Sequence, residues 1–205
     1  MFTGIITDIG TISAVETRGD LHVRIACGYD TATIDIGASI ACSGACLTVV
    51  ELGPGWFAVD ISHESLSRTP PGRWQVGQKL NLERSLKLGD ELGGHIVTGH
   101  VDGIGTIASI VVDGDSHRFE ISAPANLAPY LAAKGSIAVD GVSLTVNSVA
   151  DQPDGTTLFA LNIIPHTSAV TTLGGRAAGE SVNLEIDVLA RYLGRMEQLR
   201  TLAKT

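Results

Sequence analysis

Short apolar runs alternate with turn residues along most of the chain, and near the C-terminus the alternation stops. Leu21-His22-Val23-Arg24-Ile25-Ala26, Trp56-Phe57-Ala58-Val59-Asp60-Ile61 and Phe159-Ala160-Leu161-Asn162-Ile163 are rich in β-branched or aromatic residues. They are bounded by turns such as Leu52-Gly53-Pro54-Gly55 and Pro153-Asp154-Gly155. Runs of that length and composition predict strands. A short helix is predicted over Asn126 to Lys134, and Lys87 to Glu91 reads as a polar hinge. From Val188 to Thr205 the turn residues nearly vanish, and Leu189, Tyr192, Met196, Leu199 and Ala203 recur at spacings of 3, 4, 3 and 4. That period predicts a helix with a heptad seam. Either the seam packs on the chain's own strands or it gathers copies of the chain. Arg191, Arg195, Arg200 and Lys204 flank the stripe with no third domain to cover it, which favours the second.

The strand pattern occurs twice. Thr3-Gly4-Ile5-Ile6-Thr7-Asp8-Ile9-Gly10-Thr11-Ile12 returns at an offset of 95 as Thr98-Gly99-His100-Val101-Asp102-Gly103-Ile104-Gly105-Thr106-Ile107, with six of ten positions identical. Ser39 to Val49 returns as Ser136 to Val146 at an offset of 97, and Asn81-Leu82-Glu83 as Asn183-Leu184-Glu185 at 102. A slowly growing offset with preserved order is what loop insertions in a duplicated module leave, and the period is far too long for a solenoid. Each copy is expected to be a small closed barrel of about six antiparallel strands, since closure removes the sheet edges. The expected divisions are 1–91, 92–187 and the helix 188–205.

Composition narrows the function classes. The 205 residues are 44% hydrophobic and 18% charged, as in a folded soluble protein of two ordinary domains, and the net charge of −8 argues against a nucleic-acid surface. The repeat begins at once, with no basic leader or long apolar run, so neither a signal peptide nor a membrane span is expected and a cytoplasmic location follows. Cys27, Cys42 and Cys46, odd in number and in strand-like sequence, do not suggest a disulfide framework.

The period of two along a strand puts Leu47 and Val49 on one face and Cys46 and Thr48 on the other, with Leu144, Val146, Ser143 and Thr145 repeating the arrangement. Cys46 either packs as a small apolar residue or contacts a ligand. The exchange of Cys for Ser between copies favours contact, because a core position does not favour Ser. His95 and His100 are five apart, on opposite faces of a strand, so no metal site is expected. His100 stands where the first copy has Ile5. It is either a half-exposed strand histidine or a group that moves a proton at neutral pH. Gly103-Ile104-Gly105-Thr106-Ile107-Ala108 matches a dinucleotide fingerprint, but Ser109-Ile110-Val111-Val112 continues as strand where that fingerprint needs a helix.

Met1 to Ile6, Ser43 to Val49, Leu92 to Asp102, Asp140 to Val146, Ile164-Pro165-His166-Thr167 and Asn183 to Asp187 stand in the order in which they occur in riboflavin synthase (alpha chain), and the chain resembles that family over nearly its whole length. The resemblance implies two tandem six-stranded Greek-key β-barrels and a C-terminal helix that gathers three subunits. It implies a reaction in which two molecules of 6,7-dimethyl-8-ribityllumazine exchange a four-carbon unit, with no cofactor and no metal. A non-catalytic lumazine- or flavin-binding antenna of the same fold is the alternative, and lumazine synthase is a candidate partner. The N-barrel pocket implied is Cys46, Leu47, Thr48, Asp60, Ile61, Ser62, His63, Glu64 and Ser65, completed by Gly99, His100, Val101 and Lys134. The C-barrel pocket implied is Ser143, Leu144, Thr145, Asn162, Ile163, Ile164, Pro165, His166 and Thr167, completed by Gly4, Ile5 and Ile6. Phe2, Cys46, His100, Ser143 and Asp187 match positions that the family associates with catalysis. Ser65 to Gly72 and Ser168 depart from the family's usual pattern.

Overall fold

A computed structural model describes residues 1–202. In the first half, strands β1 (Asp8–Arg18), β2 (Asp20–Ala26), β3 (Ser39–Cys42), β4 (Ala45–Gly53), β5 (Trp56–Ile61) and β6 (Lys79–Arg84) close into a barrel in the order β1-β2-β5-β4-β3-β6. The helix α1 (His63–Arg68) links β5 to β6. All pairings are antiparallel, with β1 bonded to both β2 and β6. The barrel is filled from alternate positions: Ile25, Val49, Phe57, Val59, Ile61, Leu80 and Leu82 have no accessible surface.

The second half repeats this order with β7 (Gly103–Asp113), β8 (Ser116–Ala123), β9 (Ser136–Val139), β10 (Val142–Thr145), β11 (Ser148–Asp151), β12 (Thr157–Ile163) and β13 (Ser181–Ile186), and with α2 (Pro165–Val170) in place of α1. Ile107, Ile121, Phe159, Leu161, Val182 and Leu184 fill it. One difference departs from the expected single ring of six. The first copy absorbs a bulge between Val49 and Glu51 within β4, whereas the second breaks there into β10, paired with β9, and β11, paired with β12. Asn147 sits at the break. Its N–H donates to the Ala160 carbonyl (2.7 Å) and its side chain to Asn162 Oδ1 (3.0 Å), so side-chain bonding replaces a ladder rung.

The predicted helix at Asn126 to Lys134 is a shorter 3-10 turn, Ala125–Tyr130, containing Pro129. Proline withholds an N–H and the chain leaves helix at Leu131. Lys87–Asp90 forms a turn closed by the Asp90 carboxylate on the Lys87 N–H (2.7 Å). The paired glycines of the dinucleotide look-alike lie within the sheet: a Cβ on Gly105 would meet Leu184 and Ile121 within 3 Å, as one on Gly10 would meet Leu82 and Ile25. They are packing glycines.

The helix α3 (Val188–Leu202) leaves the second barrel and buries none of its residues. Leu189, Tyr192, Leu193, Met196, Leu199 and Leu202 are all at least half exposed, so the seam is not packed on the chain's own barrel. Ala203 of that seam and Lys204 beside it lie outside the described residues. No helix among the described residues is long and apolar enough to cross a membrane.

Candidate active site

Two hairpin turns of matching construction lie at the centre of the molecule. Ser43 (φ 46°) and Gly44 (84°) lead from β3 into β4, and Asp140 (46°) and Gly141 (80°) lead from β9 into β10. Two successive left-handed residues give the turn whose twist matches hairpin strands. The turns touch back to back. A Cβ on Gly44 would stand 2.8 Å from the Gly141 nitrogen, and the reciprocal distance is 2.7 Å. Asn81 Nδ2 donates to the Asp140 carbonyl (2.9 Å) and Asn183 Nδ2 to the Ser43 carbonyl (2.8 Å), so a pseudo-two-fold axis relates the halves. Phe2 and Val97, repeat counterparts, bridge across it with paired backbone bonds of 2.7 and 3.0 Å. The symmetry fails within the turns: Asp140, fully buried, takes Arg73 (2.9 Å) from the first half and Arg176 (2.7 Å) from the second, whereas its counterpart is Ser43.

Each turn presents an outward-facing residue, Cys46 or Ser143, and the opening segment of the opposite repeat crosses onto it. The Gly99 carbonyl accepts the Cys46 N–H and the Gly4 carbonyl accepts the Ser143 N–H, both at 2.8 Å. Both glycines are left-handed, and a Cβ on either would lie 2.5 Å from the Cβ of Cys46 or Ser143. Only glycine permits that approach. Each segment is clamped by a carboxylate. Glu185 accepts the Thr98 N–H and hydroxyl (both 2.6 Å) and the Gly99 N–H (2.9 Å), and Glu83 accepts the same groups of Thr3 (2.7 and 2.8 Å) and Gly4 (2.9 Å). Burial pushes both carboxyls above the usual range against the pull of those donors.

Beside Cys46 opens a cavity of about 390 Å³. Ala45 and Cys46 form one wall, Gly99, His100 and Val101 another, and Glu64, Ser65, Arg68 and Thr69 a third, with Asp102 and Arg191 from the second half completing it. His100 is exposed on the irregular segment between Val97 and β7, so it does not lie on a strand. Other residues expected in this pocket have different surroundings. Leu47 faces the barrel core and Thr48 is exposed. Ile61 is core, a correction that follows from strand alternation: Asp60 faces out and takes His22 Nδ1 at 2.7 Å. Ser62 caps α1 by accepting the Ser65 N–H (3.3 Å), and His63 begins that helix. Lys134 is exposed on the second barrel, where its N–H donates to the Val146 carbonyl (2.7 Å). It holds φ +68° where the first copy has Gly37 at +89°. A non-glycine residue in that conformation is strained, and such strain marks a position worth testing for function.

In the second half Ser143 is hydrogen-bonded to His95 Nδ1 at 2.7 Å. Burial holds the His95 imidazole below its ordinary range while Asp187 pulls the other way, and its Nε2 is buried without a partner among the described residues. Asp187 caps α3, its Oδ1 accepting the Leu189 N–H (2.8 Å). Leu144 and Ile6 pack against the second core and Ile163 belongs to it, while Ile5 and Ile164 are exposed. Thr145 is exposed, Asn162 is held by Asn147 and by its own bond to Asp113 (2.8 Å), and Pro165, His166 and Thr167 form the first turn of α2. Phe2 is buried with Ala41, Val97 and Ala138, and Cys46 packs against this cluster, so the ring is a support beneath Cys46. Cys42 points into the first barrel, on the face opposite Cys46, and burial raises its thiol pKa.

A family model for the lumazine binding domain matches twice, over residues 3–85 and 98–187. Riboflavin synthase of Brucella abortus is 52% identical over 97% of this chain and 98% of its own length, and that of Photobacterium phosphoreum 44% over 96% and 88%. The chain belongs to the riboflavin synthase family. Among solved structures, LumP complexed with riboflavin superposes with a TM-score of 0.81 at 26% identity, covering 91% of this chain and 99% of that one. LumP complexed with 6,7-dimethyl-8-(1'-D-ribityl) lumazine gives 0.78 at 25%, with the same coverage. Within this riboflavin synthase fold, sequence reasoning weighs His95 only as a metal ligand, and misses the Glu83 and Glu185 clamps and the pairing of Asp102 with Arg191. The recurrence of the two Asn-Leu-Glu triplets was the available signal for the clamps.

Proposed function

We propose that the chain transfers a four-carbon unit between two molecules of 6,7-dimethyl-8-ribityllumazine, forming riboflavin and 5-amino-6-ribitylamino-uracil. The carrying observation is the pair of pseudo-symmetric sites, each built by both repeats and each presenting a different nucleophile-capable side chain. Such a reaction uses one substrate as donor and the other as acceptor, so two related but unequal sites suit it. Holding two rings in a fixed relation can contribute roughly 7 to 11 kcal/mol towards a bimolecular barrier. Cys46 and Ser143 are the candidate nucleophiles, His100 the proton-transfer group on the N-barrel side, and Asp187 the carboxylate near His95. Phe2 supports Cys46, and the remaining residues expected from the family, Lys134 included but apart from the core side chains Leu47, Ile61 and Ile163, serve ligand contact.

In this proposal 1–91 and 92–187 are the binding units, and 188–205 is the assembling helix of a homotrimer, which the exposed apolar stripe of α3 supports. The trimer would bring a barrel of one subunit against a barrel of its neighbour, in the cytoplasm, with lumazine synthase as the source of substrate. Mixing the protein with the lumazine substrate alone tests the function: riboflavin absorbance should appear. Tight binding with no turnover would favour the antenna alternative.

A further inference from the structure

The wall of the Cys46 cavity includes an ion pair that joins α3 to the crossing segment. Arg191 Nη1 and Nη2 donate to Asp102 Oδ1 and Oδ2 at 2.6 and 2.8 Å, and Oδ2 also accepts the Ile186 N–H at 2.9 Å. The fork geometry fixes direction as well as distance. Gly99 is tied down by Glu185 and Cys46, and Asp102 by Arg191, by the Ile186 N–H and through its own N–H to the Leu184 carbonyl (2.8 Å). His100 lies between those anchors.

The first copy lacks this device. Thr7 replaces Asp102 and hydrogen-bonds the Tyr29 hydroxyl (2.6 Å), β6 is not followed by a long helix, and Ile5 replaces His100. The clamp therefore occurs only in the repeat whose crossing segment carries a titratable side chain. The Asp102 side chain is 12% exposed and that of Arg191 37%, so the pair is partly shielded from water and gains more than a surface ion pair would.

We propose that Arg191 is a positioning residue: by gripping Asp102 it fixes the segment that presents His100 beside Cys46. Turnover then depends on α3 directly, separately from any role of the helix in assembly. The proposal rests on the function proposed above.

The test uses the full chain with Arg191→Ala and Arg191→Lys. Riboflavin affinity is measured by fluorescence quenching, assembly by sedimentation, and kcat and KM with the lumazine substrate. Arg191→Ala should keep assembly, and keep affinity and KM within about three-fold, while kcat falls about 10- to 100-fold, the scale of a small misplacement of a reacting group. Arg191→Lys should fall between, since a point charge replaces one arm of the fork. Added guanidinium should restore part of the Arg191→Ala rate without raising the wild-type rate. Wild-type kcat in Arg191→Ala, or a loss of kcat matched by an equal loss of affinity in an assembled protein, overturns the proposal. Should Arg191→Ala fail to assemble, Asp102→Asn decides, because it leaves α3 untouched: a kcat drop in an assembled protein supports the positioning role and full turnover overturns it. Absence of turnover in the wild type sinks the functional reading instead.

Discussion

Replacing Glu185 by Gln should damage the pocket at Cys46, and replacing Glu83 by Gln should loosen the segment packed on Ser143, because each carboxylate holds the segment that crosses onto the opposite barrel. Glu185 Oε1 takes both Thr98 donors and Oε2 takes the Gly99 N–H. A glutamine that keeps its oxygen on Thr98 turns its NH₂ towards the Gly99 N–H, which then has no acceptor. Losing one charge-assisted bond and stranding a buried donor costs about 1.5–3 kcal/mol, less the relief of no longer burying a charge. A net of about 1–2 kcal/mol lowers the melting temperature by about 2–8 °C for a chain of this size, and a similar penalty on the bound state weakens ligand at the affected site about 10-fold. Alkylation of Cys46, followed by peptide mass, reports the site: riboflavin should protect Cys46 less in Glu185→Gln than in Glu83→Gln. Because burial places the folded-state pKa of Glu185 above its unfolded value, the stability linked to its titration is fully present below the ordinary carboxylate range. It is lost as pH rises through the raised value. The melting deficit of Glu185→Gln relative to wild type should therefore grow as pH is lowered from neutral. Equal loss of Cys46 protection in the two variants would refute the clamp assignment, and a deficit that shrinks on acidification would mean that the Thr98 and Gly99 donors outweigh burial in setting the Glu185 titration.

Four further outcomes are expected. His100→Gln should keep riboflavin affinity within a few-fold and lower turnover about 100-fold, the scale of general acid-base catalysis; unchanged turnover would remove His100 from the chemistry. Asp140→Ser, which makes the second turn resemble the first, leaves Arg73 buried without its ion-pair partner and Arg176 with Glu180 alone (3.5 Å), and should cost about 3–5 kcal/mol in denaturant unfolding, and a loss below about 1 kcal/mol, the worth of an exposed pair, would contradict a structural role for the Asp140 triad. The His95 imidazole proton resonances should titrate below the ordinary imidazole range in NMR, and titration at or above it would mean that the ring is not desolvated. Deleting residues 190–205 should leave both barrels folded and able to bind riboflavin while abolishing assembly and most turnover, and an active trimer lacking the segment would reduce α3 to a packing element.

The duplicated barrels were legible because their sequence signal is periodic: Ile12 and Ile107, or Phe57 and Phe159, recur with the turns that flank them. The outward placement of Cys46 and Ser143 followed from alternation along a strand. The same rule places Ile61 inside, because its neighbour Asp60 occupies the outward position, and corrects the pocket implied by the family resemblance. It misdescribed His95 and His100, since the segment that bears them is irregular apart from one bridge at Val97. The contact of His95 with Ser143 joins positions 48 residues apart, and that of Gly99 with Cys46 crosses between repeats. Neither leaves a mark on local hydropathy. The split of β10 from β11 depends on an asparagine side chain rivalling a backbone rung, a balance that propensity does not resolve.

The exchanged opening segments give the duplication an unusual inheritance. By sequence, Thr98-Gly99-His100 belongs to the second repeat, and by position it walls the cavity beside Cys46 of the first, as Thr3-Gly4-Ile5 crosses onto Ser143 of the second. A gene copy is ordinarily free to drift once its twin covers the original task. Here a change in either arm lands in the other unit's cleft, so neither twin is redundant. Specialisation can then proceed only as a paired affair, with a group such as His100 acquired by one repeat and used beside Cys46 of the other.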